Sequence, residues 1–281
     1  MNRAFVLFSI VLLIVGCTQQ AGTAPPSGVP SQPSQPSAPS APSQPTQPAE
    51  PAQPAQPAEP ASSLKSSEVS YNAGAWKIYG TLYESESKTP KKAIVLVPGL
   101  GETRDGYPQS FIAKLHDEFP DALVLAIDPR GHGKSTNIGS WQDFDTSEFK
   151  DMKTDILSIK AYLTPSYPAI TELYVVGASM GSTSSILAAA QDKSITKVVM
   201  LSPGMDYNGV SIERSVDDYA HPLLAVASSG DSYSVEAVNE MKSLTSESQL
   251  KTRIFPGSAH GTDIFESQGE TLEDLAIDFL K

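Results

Sequence analysis

The chain has 281 residues, a formal net charge of −12 and a single cysteine. An acidic balance of this size argues against nucleic acid as a partner and against close association with anionic lipid. One cysteine excludes an internal disulfide, and the length allows one or two domains.

The first residues read as a targeting segment. Arg3 precedes apolar runs at Ala4–Phe8 and Ile10–Val15, too short for a membrane-spanning helix of about 20 apolar residues. This is the pattern of a secretory signal peptide over residues 1–16. It ends in Leu13-Ile14-Val15-Gly16-Cys17, which resembles a lipoprotein signal box. That resemblance implies lipidation of Cys17, export, and attachment to a membrane through the lipid. An ordinary cleaved signal with an incidental cysteine is the plainer alternative.

Residues 17–63 read as a spacer. From Pro30 to Pro60 a proline stands at every third position, interleaved mainly with Ser, Gln and Ala. Polyproline II has three residues per turn, so these prolines fall on one edge of an extended helix. At about 3.1 Å per residue such a tract reaches on the order of 100 Å. A stalk holding a domain away from a membrane is expected, with a PxxP ligand as the alternative. Arg3, Glu50 and Glu59 are the only charges before Leu64 and sum to −1, so residues 64–281 carry −11 of the −12. This last part is long enough for one cored domain.

Within it, apolar β-branched runs alternate with helical patterns, the mark of an α/β fold with a mostly parallel sheet and helices on both faces. Val69–Tyr71 and Trp76–Tyr83 form an expected hairpin turning at Asn72-Ala73-Gly74. Ala93–Val97 is a short apolar strand ending at Pro98-Gly99, followed by a helix with Phe111, Ile112, Leu115 and Phe119 on one side. Ala122–Ile127 is the next strand. Phe149, Met152, Ile156, Ile159 and Leu163 recur at helical spacing and predict one continuous helix, with Asp145 and Glu148 as a capping box. Leu173–Val176 is a strand leading to Gly177-Ala178-Ser179-Met180-Gly181, and Ser182–Ala190 a helix beyond it. Lys197–Leu201, Leu223–Ala227 and Lys251–Phe255 are further strands, and Thr271–Leu280 is a closing helix.

Three of these strand exits carry chemistry. A serine hydroxyl is a poor nucleophile and needs both exposure and a base. A sharp strand-to-helix turn exposes Ser179, and glycine at 177 and 181 lets the two elements approach. The chain has four histidines. His116 falls in a helix among charged residues and reads as a solvated surface group. His132 lies in a glycine-flanked turn, and His221 precedes Pro222 at the start of a strand. Only His260 lies in a loop after the final strand, on the side where active-site loops gather. Asp231, after Leu223–Ala227, is the favoured acid to orient the imidazole; Asp206 is a rival, and Asp263 reads better as a helix-start cap. The order Ser, Asp, His is that of an α/β-hydrolase triad.

Pro98-Gly99-Leu100-Gly101-Glu102, Asp128-Pro129-Arg130-Gly131-His132-Gly133-Lys134-Ser135, the serine turn, Gly230-Asp231 and Ser258-Ala259-His260-Gly261 together resemble the α/β-hydrolase superfamily over residues 65–281. They are most similar to its lysophospholipase, monoglyceride lipase and serine aminopeptidase-like branch, with some likeness to dienelactone hydrolase-type esterases. The resemblance implies Ser179 as nucleophile, Asp231 as acid and His260 as base, with the backbone N–H groups of Leu100 and Met180 as the oxyanion hole. Pro98 stands where many relatives have histidine. Where lid-bearing relatives insert a helical cap, this chain has only Ser202–Pro222, so a minimal lid or none is expected. The activity implied is hydrolysis of a small-molecule acyl ester or thioester without a cofactor. Amide or peptide cleavage uses the same residues, and a non-catalytic binding module is the alternative of another class. An Asp-nucleophile dehalogenase does not fit a serine at 179. No His-rich or paired-Cys cluster suggests a metal.

Overall fold

The structure is a computed structural model and describes residues 64–281. Cys17, the targeting segment and the proline tract lie outside the described residues. The elements run β1 (Ser66–Ala73), β2 (Trp76–Tyr83), β3 (Lys92–Val97), α1 (Gln109–Glu118), β4 (Ala122–Asp128), α2 (Thr146–Asp151), α3 (Lys153–Leu157), α4 (Ile159–Leu163), β5 (Glu172–Ala178) and α5 (Met180–Ala189). They continue with β6 (Ile195–Leu201), β7 (Asp206–Tyr207), β8 (Val210–Ser211), α6 (Glu213–Asp218), β9 (Leu223–Ser228), α7 (Ser232–Leu244), β10 (Leu250–Phe255), α8 (Asp263–Gln268) and α9 (Glu270–Leu280).

Eight strands form one sheet in the order β1-β2-β4-β3-β5-β6-β9-β10. The β1–β2 and β2–β4 pairs are antiparallel and every other pair is parallel. The central strands are apolar on both faces because helices cover both. In β3, Ala93, Val95 and Val97 enter the core beneath α3–α7, while Ile94 and Leu96 enter the core beneath α1, α8 and α9. In β5, Leu173 and Val175 join the first core, and Tyr174, Val176 and Ala178 the second. This period-2 division between two apolar layers explains why these strands show no polar alternation in sequence.

The apolar stripe from Phe149 to Leu163 is buried as expected, and Asp145 with Glu148 makes the capping box. The single helix is not continuous, however: it is cut into α2, α3 and α4 at Met152 and Ser158. Met152 and Asp155 donate to carbonyls three residues back, Phe149 and Met152, rather than four. Hydroxyls also compete for the carbonyls of this stretch: Ser158 Oγ donates to Thr154 O at 2.8 Å and Tyr71 Oη to Asp155 O at 2.8 Å. The side-chain spacing survives the cuts because both junction residues stay in the right-handed helical region.

Beneath this segment lies a buried ion pair. Arg130 Nε and Nη2 each stand 2.8 Å from Asp155 Oδ1, and Arg130 N–H donates to Oδ2 at 2.8 Å. Both residues are almost wholly buried. The pair ties the loop after β4 to α3.

Candidate active site

The turn that carries Ser179 forms where β5 meets α5. Ser179 has φ +50° and ψ −119°, a strained conformation for a residue with a Cβ. Small neighbours make the turn possible. A Cβ on Gly177 would lie 2.4 Å from Gly181 O, and one on Gly181 would lie 2.3 Å from Val97 O and 2.4 Å from Pro98 O. Ser179 N–H is fixed by Leu201 O at 2.8 Å, so the turn is also tied to the neighbouring strand β6.

His260 comes to this serine from a loop 81 positions away, and Asp231 lies 29 positions before His260. His260 Nε2 is 2.8 Å from Ser179 Oγ, and His260 Nδ1 is 2.7 Å from Asp231 Oδ2. The Asp231 carboxyl also accepts the Ser234 N–H at 3.3 Å, capping α7. Its side chain is 11 % exposed against 44 % for His260. Burial pushes the Asp231 carboxyl up, but the bonds from Ser234 and His260 outweigh it, so the carboxyl stands below the usual aspartate value. The acid therefore stays ionised beside the imidazole, which favours a proton on Nδ1 and leaves Nε2 facing the hydroxyl.

The rival acids are placed elsewhere. Asp206 is exposed on β7, and its Oδ1 accepts Gly209 N–H at 2.8 Å. Asp263 starts α8, with its backbone N–H donating to His260 O at 3.2 Å. Of the other histidines, His132 is buried, with Nδ1 2.8 Å from Arg130 O and its ring stacked on Trp141. His221 lies two residues before β9, at the end of the strand opposite to Asp231. His116 differs from its expected solvated state: its side chain is only 13 % exposed, because α1 packs between the sheet and α9.

The loop after β3 lies against Ser179, since a Cβ on Gly99 would be 3.3 Å from Ser179 Cβ. A tight turn shapes it. Glu102 N–H donates to Gly99 O at 3.2 Å, and Gly99 N–H donates to Glu102 Oε2 at 2.9 Å. Gly101 takes φ +82° within it. Leu100 packs against the apolar cluster that contains Met180, and Met180 opens α5, where a backbone N–H has no partner one turn earlier. The Glu102 bond was not legible in sequence; a carboxylate three residues after a glycine that must donate is the only trace of it. Beyond Glu102, a cleft of about 400 Å³ is lined by Asp105, Thr262, Asp263, Glu266 and Glu273 among others, and Ser179 is not one of its walls.

Among the described residues, no large cap covers the site. Ser202–Pro222 folds as the β7–β8 hairpin and the six-residue α6. Tyr207 of the hairpin stands edge-on to His260 with ring centres 6.5 Å apart, and it packs on Tyr233 at 5.3 Å. Among the described residues, no three His, Cys, Asp or Glu side chains gather as a metal ion would require.

Among solved structures, an esterase from Pyrococcus furiosus shares 20 % identity, with 78 % of this chain and 92 % of that one covered at a TM-score of 0.63. A carboxyl esterase from Bacillus coagulans shares 15 % identity, with 76 % and 97 % covered at 0.61. A dienelactone hydrolase from Anabaena variabilis shares 18 % identity, with 77 % and 96 % covered at 0.63. At these identities the likeness speaks for the α/β-hydrolase fold. Comparison with curated protein sequences returned no match. Residues 88–254, more than half of the 281, match the family described as serine aminopeptidase, S33. On that match the chain belongs to the S33 serine aminopeptidase family, built on the α/β-hydrolase fold.

Proposed function

We propose that this protein is a serine hydrolase that cleaves carboxylic esters or thioesters through an acyl-enzyme. The observation that carries the reading is the imidazole of His260 within 2.8 Å of a hydroxyl and 2.7 Å of a carboxylate. In the proposed reaction, Ser179 Oγ attacks the acyl carbon as His260 Nε2 takes its proton. The oxyanion is held by the N–H groups of Leu100 and Met180, each donor contributing roughly 10²–10³ in rate. Collapse expels the alcohol or thiol, which takes the proton from His260, and leaves the acyl group on Ser179. Water then attacks the acyl-enzyme, with His260 again the base, and releases the acid. Asp231 stabilises the imidazolium in both halves. No step calls on a cofactor.

The names of the structural neighbours, two esterases and a dienelactone hydrolase, favour esters. The family's own description keeps amide cleavage as the second reading, because the same three side chains serve it. A non-catalytic module would be expected to lack one of them. The segment ending at Cys17 and the proline tract support an exported domain tethered by lipid and held off the membrane by a stalk; both lie outside the described residues.

Nitrophenyl esters of graded acyl length, run beside aminoacyl anilides, test the reaction and the substrate class together. A fluorophosphonate probe should label the wild-type protein and not Ser179→Ala, with turnover lost in step. Full turnover in folded Ser179→Ala would remove the nucleophile assignment, and faster anilide than ester cleavage would favour the peptidase reading.

A further inference from the structure

Among the described residues, only Ser179, Ser202 and Asn208 have positive φ without being glycine. Ser179 is the nucleophile. Asn208 lies in the turn of the β7–β8 hairpin, and asparagine tolerates the left-handed region. Ser202 has neither excuse. It follows β6 with φ +48° and is wholly buried. Such strain persists only where the surroundings over-determine it, and it concentrates at working sites.

The surroundings of Ser202 consist of the active site's own supports. Its N–H donates to Val226 O on β9 at 2.7 Å, and its carbonyl accepts the Tyr207 hydroxyl at 3.2 Å. Its Oγ accepts the N–H of Gly261, the residue after His260, at 2.9 Å. The preceding carbonyl, Leu201 O, is the one that holds Ser179 N–H. Two adjacent residues thus grip the nucleophile turn and the histidine loop. Gly261 has φ +60°, and a Cβ there would lie 3.7 Å from Ala178 Cβ and 3.9 Å from Ser179 Cβ, so this grip sets how closely the loop approaches the serine.

We propose that Ser202 is a positioning residue for the triad: its buried hydroxyl anchors Gly261 and so holds the His260 imidazole at bonding distance from Ser179. The strained backbone is what turns the hydroxyl toward the loop. This rests on the triad reading above, because Ser202 touches no reacting atom and acts only through His260.

The test compares Ser202→Ala and Ser202→Gly with the wild-type protein. Both remove the hydroxyl, and glycine alone relieves the positive φ. Nitrophenyl butyrate turnover is read as kcat and KM separately, amide hydrogen exchange is followed at Gly261, and cooperative thermal melting confirms the fold. Both variants should lose kcat by about 10- to 100-fold with KM changed little, as expected for a misplaced catalytic group. Exchange at Gly261 should quicken in both. Wild-type kcat in folded Ser202→Ala would overturn the proposal. So would wild-type kcat in Ser202→Gly beside an impaired Ser202→Ala, since backbone strain would then be the whole effect. Unchanged exchange at Gly261 would also overturn it. If the wild-type protein turned over no ester while exchange at Gly261 still rose in both variants, the esterase reading would fail and the anchor would stand.

Discussion

The carboxylate of Asp231 serves His260 and helix α7 at once, bonding the imidazole Nδ1 at 2.7 Å and accepting the Ser234 N–H at 3.3 Å. The cap ties the carboxyl to its own helix as well as to the histidine. Asp206, the other acid on a plausible strand exit, is spent on its hairpin instead. Asp231→Asn should therefore lower kcat by roughly 10⁴-fold, and Asp206→Asn should change it by no more than a few-fold. Steady-state kinetics on one ester decide this. A large loss confined to Asp206→Asn would reassign the acid.

The same bonds make Asp231 a source of pH-dependent stability. Its folded-state carboxyl lies below the ordinary value of 3.8, so its contribution is complete above that value and is lost as pH falls through the folded one. Denaturant melts of the wild-type protein and Asp231→Asn between about pH 6 and pH 2.5 should show the wild-type advantage shrinking at the acid end. A difference that stays constant over that range would count against the assignment.

Gly181 should be intolerant of any side chain. A Cβ there meets two backbone oxygens, those of Val97 and Pro98, which also carry the loop with Leu100. Gly181→Ala should cost about 1–3 kcal/mol, the scale of overpacking in a filled core, and reduce turnover by moving that loop. Gly74→Ala is the control: its φ is +65° but a Cβ would meet nothing within 4 Å. It should cost stability modestly and leave kcat unchanged. Equal kinetic losses in the two variants would refute the steric account.

Arg130 and Asp155 should show the asymmetry of buried ion pairs. Asp155→Ala leaves the Arg130 guanidinium buried without its partner and should destabilise by about 3–5 kcal/mol. The double replacement Arg130→Met with Asp155→Leu should recover much of that loss. Urea denaturation of the three proteins would check it, and a double variant as unstable as the single one would show that the pair is worth more than its desolvation.

The residues alone determined a good deal here. Runs such as Ile94–Val97 and Leu173–Val176 announced a sheet covered on both faces, because a strand between two apolar layers has no polar side to show. The small residues around Ser179 and the Gly/Ser-rich loop around His260 marked the two residues that the structure bonds to each other, since a strained turn and a loop at a strand exit restrict which residues fit. What needed the folded chain was every choice that depends on which atoms meet across the sheet. Asp231 and Asp206 follow adjacent strands and look alike in sequence; only the bond to His260 separates them. The stripe from Phe149 to Leu163 has unbroken helical spacing, yet Met152 and Asp155 bond three residues back and the Tyr71 hydroxyl takes the Asp155 carbonyl. Ser202, 59 positions from the amide it holds, carries no motif at all. Periodicity and turn chemistry are local and are written along the chain, whereas a hydrogen bond between distant loops exists only once the strands have fixed their order.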